Sequence, residues 1–393
     1  MGKLQLILFA VVIVSCCLHI REQIKNRDHF LHLFTQSRHR ENRIVYLDYL
    51  RLIATLFVIL VHCLDVTTVS VPGGSLTWVF IQSLSAILMV CNYLFIMNSG
   101  ALLLRGKTSD IKNFYYKRVT SVAIPFFCYY GIYLRLSCRY TDQGIIKGAL
   151  AAFKDILKGP IDWAPHLWVI YVILSLSILA PFFALLLRQL SESMLNTMVF
   201  VILLFRCTAL YLPLFNLSLN LDLMIQPWEV VFLLGYYFSH PTALKRRNLY
   251  WFLGGASCLF VILCVLFRAD YKAILLADGA PTMIFIGGGL FLLLRTLEYR
   301  LPKPGFLLNF LIRYSYSILM VHWAILYYVK THLEMIIKLP SLVGSTILSF
   351  FLVLVLSALS AILFDQTVVY CVNRLIELLT KWVQGVFTTH HSQ

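Results

Sequence analysis

One apolar stretch of the chain, DYLRLIATLFVILVHCLD at 48–65, holds four ionisable groups: Asp48, Arg51, His62 and Asp65. Charged side chains inside such a run are costly, and they mark either a functional site or a paired structural one. On a helix advancing 100° per residue, Arg51 and His62 share a face, about 16 Å apart along the axis. Asp48 and Asp65 fall on the same broad face. A neutral imidazole can take a proton near pH 7, and an acid one turn away could orient it. The same set would also suit a proton-coupled carrier. The structural alternative is an Asp48–Arg51 ion pair near a membrane interface, with His62 as a hydrogen-bonded core residue.

The elements that hold these residues are set by composition. The 393 residues are 60% hydrophobic and only 13% charged, with a mean hydropathy of +0.81. A soluble body could not cover that much apolar surface, so an all-α polytopic membrane bundle is expected. Apolar runs of about 20 residues place spans near 4–20, 46–68, 77–104, 119–135, 167–187, 195–213, 227–239, 250–268, 278–294, 307–329 and 341–364. The first is read as a retained extra span rather than a cleaved signal, because cleavage would leave the cations of 21–43 outside.

Of the 33 Lys and Arg, twenty fall in one alternating set of connections and ten in the other, which makes the first set cytoplasmic. The C-terminus is then cytoplasmic and the N-terminus outside. The net charge of +15 therefore reads as a topology signal and an attraction to anionic lipids, not a nucleic-acid surface. Leu150, Phe153, Ile156 and Leu157 recur at helical spacing in the loop between two spans, and Val369, Leu375, Leu379 and Trp382 do so near the C-terminus. Both predict interfacial helices. Cysteines within the spans read as small membrane hydrophobes, and no His, Cys or carboxylate spacing predicts a metal.

Four stretches resemble the acyltransferase 3 family of multi-span membrane acyltransferases, which modify surface glycans and related acceptors. LDYLRLIATLFVILVH, with ten residues between Arg51 and His62, is similar to its R-x10-H signature. FIMNSG at 95–100 followed by FYYKRVTSVAIP at 114–125 resembles its F-x-x-SG turn and basic RxxR-I-x-P stretch. HLW at 166–168 resembles its HLWF span, and YSYSILMVH at 314–322 its late SFxIYLxH segment. One departure is clear: Ser121 stands where the family's basic motif has a second Arg. The likeness divides the chain into an extra span and basic linker at 1–43, a ten-span acyltransferase domain at 44–365, and a cytoplasmic amphipathic tail at 366–393.

The resemblance implies acyl transfer, with acetyl the expected group, from cytoplasmic acyl-CoA to a hydroxyl of a surface glycan or lipid-linked sugar in the cell membrane. Arg51, Asp48, Arg118, Lys117, Ser99 and Gly100 would then hold the donor at the cytoplasmic mouth, where an anionic nucleotide needs cations. His62 would act as general base or form an acyl-histidine, with Asp65 or Asp48 holding its tautomer. His322, at a depth similar to His62, and His166, Trp168, Glu229 and Arg206 would meet the acceptor. Arg206 and Glu229 could instead pair with each other, and Trp168 could belong to an aromatic belt. Asn98, Ser99 and Gly100 read as a helix break lining a cavity. No second copy of the R-x10-H pattern or of FIMNSG occurs, which favours the enzyme over a transporter or flippase built from repeats.

Overall fold

The structure, a computed structural model, describes residues 43–390 apart from 69–70, 107–109, 138–144, 213–216, 218–225, 268–276 and 333–341. The expected span at 4–20 and nearly all of the basic linker lie outside the described residues. Every described element is helical: α1 (Val45–Thr68), α2 (Leu76–Leu88), α3 (Val90–Leu103), α4 (Ile111–Arg118), α5 (Ile124–Leu136), α6 (Ile145–Lys158), α7 (Trp168–Arg188) and α8 (Glu192–Tyr211) come first. Next come α9 (Pro227–Ser239), α10 (Pro241–Lys245), α11 (Arg247–Leu266), α12 (Pro281–Thr296), α13 (Phe306–His332), α14 (Leu342–Phe364) and α15 (Tyr370–His390). Among the described residues seven segments are long and apolar enough to cross a membrane, and α12 is a shorter apolar helix. The other two expected spans are the 13-residue α9 and the 27-residue α13, whose Asn309, Arg313, Ser315, Ser317 and His322 dilute its apolar content.

Helix α1 is wrapped on several sides, by α2, α3, α12, α13 and α14. Leu47, Leu50, Ala54 and Val58 face the main core, Ile59 and Cys63 pack with Tyr314, Ile318 and Val353, and Val61 and Leu64 pack with Ile81 and Leu88. A helix apolar nearly all round suits such a position. Lipid tails are as apolar as leucine, so close helix approach depends on small residues. A methyl added at Gly100 would stand 1.9 Å from the Phe232 carbonyl oxygen, and one at Gly235 would stand 2.0 Å from that of Met97. The two glycines bring α3 and α9 into backbone contact.

This contact corrects the reading of Asn98, Ser99 and Gly100 as a helix break. Helix α3 runs unbroken through Leu103, and the Ser99 hydroxyl donates to its own helix at Phe95 O, 2.9 Å away. The interruption falls at Met89, between α2 and α3. Gly100 serves an approach between helices rather than a change in backbone direction.

Two π-helical turns interrupt the helices. Val119–Ala123 joins α4 to α5 just before Pro125, whose missing N–H breaks the ladder; the Tyr316 hydroxyl donates to the Val122 carbonyl at 3.0 Å. Asp365–Val369 joins α14 to α15, so the apolar stretch extends over Gly344–Thr380. The expected span at 341–364 corresponds to α14, and the helix expected after it is present as α15. The expected helix near Leu150 is present as α6, with Leu150, Phe153 and Leu157 exposed.

Gly235→Ala is expected to cost about 3 kcal/mol through overpacking and to lower the unfolding temperature of the detergent-solubilised protein. Gly131→Ala, where a methyl meets nothing within 4 Å, should leave that temperature unchanged or raise it slightly. Equal melting of the two variants would refute the account of the α3–α9 contact.

Candidate active site

His62 and His322 lie on helices that pack side by side, each about 25 Å by helical rise from the helix start. Their rings stack with centroids 5.4 Å apart and planes 22° apart. His166 sits in a short 3₁₀ turn, Pro165–Leu167, at the head of α7. Its ring meets that of His322 edge-on at 5.0 Å. Trp323 closes the group, 4.8 Å from His62 and 5.9 Å from His166 between ring centroids. Three histidines widely separated in sequence thus form one cluster.

Hydrogen bonds assign the tautomers of two of them. His322 Nδ1 is 2.8 Å from the carbonyl oxygen of Leu319; a carbonyl only accepts, so Nδ1 carries the proton and Nε2 presents a lone pair. His166 Nε2 lies 3.4 Å from the next carbonyl, Met320 O, which also accepts from the Tyr133 hydroxyl at 2.7 Å. Among the described residues His322 Nε2 and His166 Nδ1 are buried without a hydrogen-bond partner. Such groups are costly unless something donates to them.

His62 is the accessible member, with 23% of its side chain exposed against 0% for the whole of His322. Asp65 Oδ2 is 3.9 Å from His62 Nδ1, and Asp65 Oδ1 accepts from the Ser85 hydroxyl at 3.1 Å. Of the two acids expected to orient His62, Asp65 is therefore the neighbour. Asp48 is about 21 Å away along the helix and is engaged elsewhere, by Arg43 Nε and by Arg51 Nη2 at 3.7 Å.

The Arg51 end of the bundle is held by polar contacts. Arg43 Nη1 donates to Asn309 Oδ1 at 2.7 Å, Asn309 to Pro304 O at 2.5 Å, and the Tyr49 hydroxyl to Pro302 O at 2.9 Å. These contacts fix the start of α13 against α1. Arg118 stands over the Phe114 ring, 5.8 Å from its centroid, and Lys117 is exposed. The Ser121 hydroxyl donates to the Lys117 carbonyl, a bond within its own helix.

The remaining candidates gather at the other end. The Trp168 and Trp228 rings lie 4.9 Å apart, and Tyr93 lies 5.1 Å from Trp228. The Tyr93 hydroxyl donates to Ala277 O and accepts from Ala280 N. The Arg206 guanidinium, buried at 4% exposure, donates to the carbonyls of Asp278 at 2.6 Å and Gly279 at 3.3 Å. It holds a turn in which Gly279 has φ of +66°. Glu229, in the first turn of α9, is partly exposed beside Trp228. Among the described residues no group of three or more His, Cys, Asp or Glu is arranged to hold a metal ion.

Sequence reasoning missed Tyr133 and Trp323 as partners of the histidines, although Trp323 adjoins His322, and Ser85 as the partner of Asp65. It also missed Asp365, which it named only as the end of the acyltransferase-like domain. Residues 44–365 match the family model of an acyltransferase domain, Acyl_transf_3. The chain belongs to the acyltransferase 3 family. No similar curated protein and no similar solved structure was found.

Tyr133→Phe removes the donor to Met320 O and is expected to lower stability by about 1 kcal/mol. Thermal melts of Tyr133→Phe, His166→Ala and the double variant should show losses that do not add, since the two residues share one carbonyl. Additive losses would mean that they are independent.

Proposed function

We propose that the protein transfers an acyl group, acetyl in the first instance, from cytoplasmic acyl-CoA to a hydroxyl of a surface glycan or lipid-linked sugar. The observation that carries this reading is the cluster of His62, His166 and His322, with two buried lone pairs and one accessible imidazole. The Arg51 end, with Arg43 and Arg51 on Asp48, would face the cytoplasm and, together with Arg118 and Lys117, take the donor's phosphates. The acyl-pantetheine arm would extend along the α1–α13 seam, placing its thioester near His62.

In this mechanism His62 accepts the proton of the acceptor hydroxyl as the oxygen attacks the thioester carbonyl. A new C–O bond forms and the C–S bond breaks. The proton passes from the imidazolium to the departing thiolate, so His62 ends as it began. Asp65, steadied by Ser85, favours the imidazolium. The lone pairs on His322 Nε2 and His166 Nδ1 accept from hydroxyl groups of the acceptor, which satisfies two otherwise unpaired buried atoms. Trp168 offers a face for a sugar ring.

The test is thiol release from acetyl-CoA by the purified, detergent-solubilised protein. His62→Ala should lower the rate by about 10² to 10⁴, and Arg51→Ala should raise the KM for acetyl-CoA roughly tenfold or more through loss of a charge-assisted contact. A wild type that neither cleaves nor binds acetyl-CoA would refute the reading.

A further inference from the structure

Asp365 plays no part in that chemistry, yet it is partly buried and bonded to two other helices from the π-helical turn between α14 and α15. The Tyr129 hydroxyl donates to its Oδ1 at 2.9 Å and the Ser317 hydroxyl to its Oδ2 at 2.5 Å. Tyr129 is on α5 and Ser317 on α13, so one carboxyl group ties two helices to a third. Tyr129 is itself fully buried and Ser317 is 5% exposed.

About one turn further along both helices comes the next tie. Tyr133 of α5 donates to Met320 O of α13 at 2.7 Å, in the same contact that receives His166. In the other direction Tyr316, next to Ser317 on α13, donates at 3.0 Å to Val122 O in the π-helical turn that precedes α5. Helix α13 is thus tied at three points to α5 and the π-helical turn before it, and Asp365 takes part in the middle one. A π-helical turn adds a residue and rotates the helix beyond it, which is how a side chain can be aimed where a regular helix would not aim it. His322 lies five residues beyond Ser317 on the same helix.

We propose that Asp365 is a positioning residue for acyl transfer: by holding Ser317 and Tyr129 it sets the register of α13 against α5, and so the placing of His322 and His166. Its effect on turnover rests on the acyl-transfer reading, whereas its effect on the histidine cluster does not. Loss of the carboxyl group leaves Tyr129 and Ser317 without their shared acceptor and frees α13 to shift. A displacement of about 1 Å at the reacting groups suffices for a loss of about 10²-fold. An amide at this position still accepts at Oδ1 and can donate to the Ser317 oxygen, since a hydroxyl group accepts as well as donates.

The experiment compares the full-length detergent-solubilised wild type with Asp365→Ala, Asp365→Asn, Tyr129→Phe and the double variant Tyr129→Phe/Asp365→Ala. Thiol release from acetyl-CoA is measured first. Asp365→Ala should lower kcat by about 10- to 100-fold with the KM for acetyl-CoA within about twofold, and Asp365→Asn should recover most of that loss. The double variant should be no slower than Asp365→Ala, because the pair acts as one unit. A kcat for Asp365→Ala within twofold of wild type, or losses that multiply, would overturn the proposal.

The second readout needs no turnover: diethylpyrocarbonate labelling of His322 and His166, followed by peptide mass spectrometry below the melting temperature of each variant. Both histidines should be protected in the wild type and labelled severalfold faster in Asp365→Ala. Unchanged labelling overturns the proposal. A wild type that does not cleave acetyl-CoA counts against the acyl-CoA reading instead, and the labelling then decides the positioning role.

Discussion

A helical carbonyl already bonded within its helix keeps a second lone pair, and the centre of this bundle is organised around two such lone pairs. Leu319 and Met320 are consecutive on α13, and their carbonyls receive His322 Nδ1, His166 and the Tyr133 hydroxyl. Each of the two histidine bonds leaves the other imidazole nitrogen with its lone pair free and buried. In hydrocarbon no water is on hand to complete such a group. The backbone therefore decides which nitrogen of each ring carries the proton and which keeps its lone pair, and the rest of the fold must keep α13, α5 and the head of α7 in register.

That register is expensive to hold in a membrane, where apolar packing alone gives little preference between one helix rotation and another. The protein answers with contacts that tolerate no slippage. Backbone touches backbone at Gly100 and Gly235. Polar ties between helices are placed where only one arrangement satisfies them: Tyr316 on Val122 O, Tyr129 and Ser317 on Asp365, Arg206 on the turn at 278–279. Helix α1 needs fewer of these, because it is packed on several sides by side chains and starts from an ionic anchor between Arg43, Asp48 and Asn309.

Sequence reasoning recovered what depends on periodicity and missed what depends on tertiary pairing. Each expected span within the described residues coincides with a helix, since an apolar run of that length has few other options in lipid. The common depth of His62 and His322 was legible from counting along two helices of the same direction. The presence of His166 in the cluster was not, because an outer-edge histidine beside Trp168 reads equally well as part of an interfacial belt. For a related reason, Asp365 was not singled out. Its partners, the hydroxyl groups of Tyr129 and Ser317, are more than 200 and nearly 50 residues away, and no local pattern links them to it. The supposed break at Asn98–Gly100 failed because a glycine needed for close approach looks, in one dimension, the same as a glycine needed for a turn.

On the proposed reading, the two ends of the site share the binding of the donor unequally. Asp48 lies between Arg43 and Arg51, which neutralises part of the charge a phosphate would meet. Ser121 brings no second guanidinium, and its hydroxyl is turned onto the Lys117 carbonyl. The phosphate contacts at this mouth are then weaker than two opposed arginines would supply, and more of the donor's hold must come from its arm within the helices. Binding energy gathered along the arm acts at the thioester, close to where charge develops, and can be spent on orientation there. A thin cationic mouth and a rigid, over-determined histidine cluster are therefore consistent parts of one arrangement: the weaker the grip at the entrance, the more the reaction depends on the register of α1, α5 and α13 at its centre.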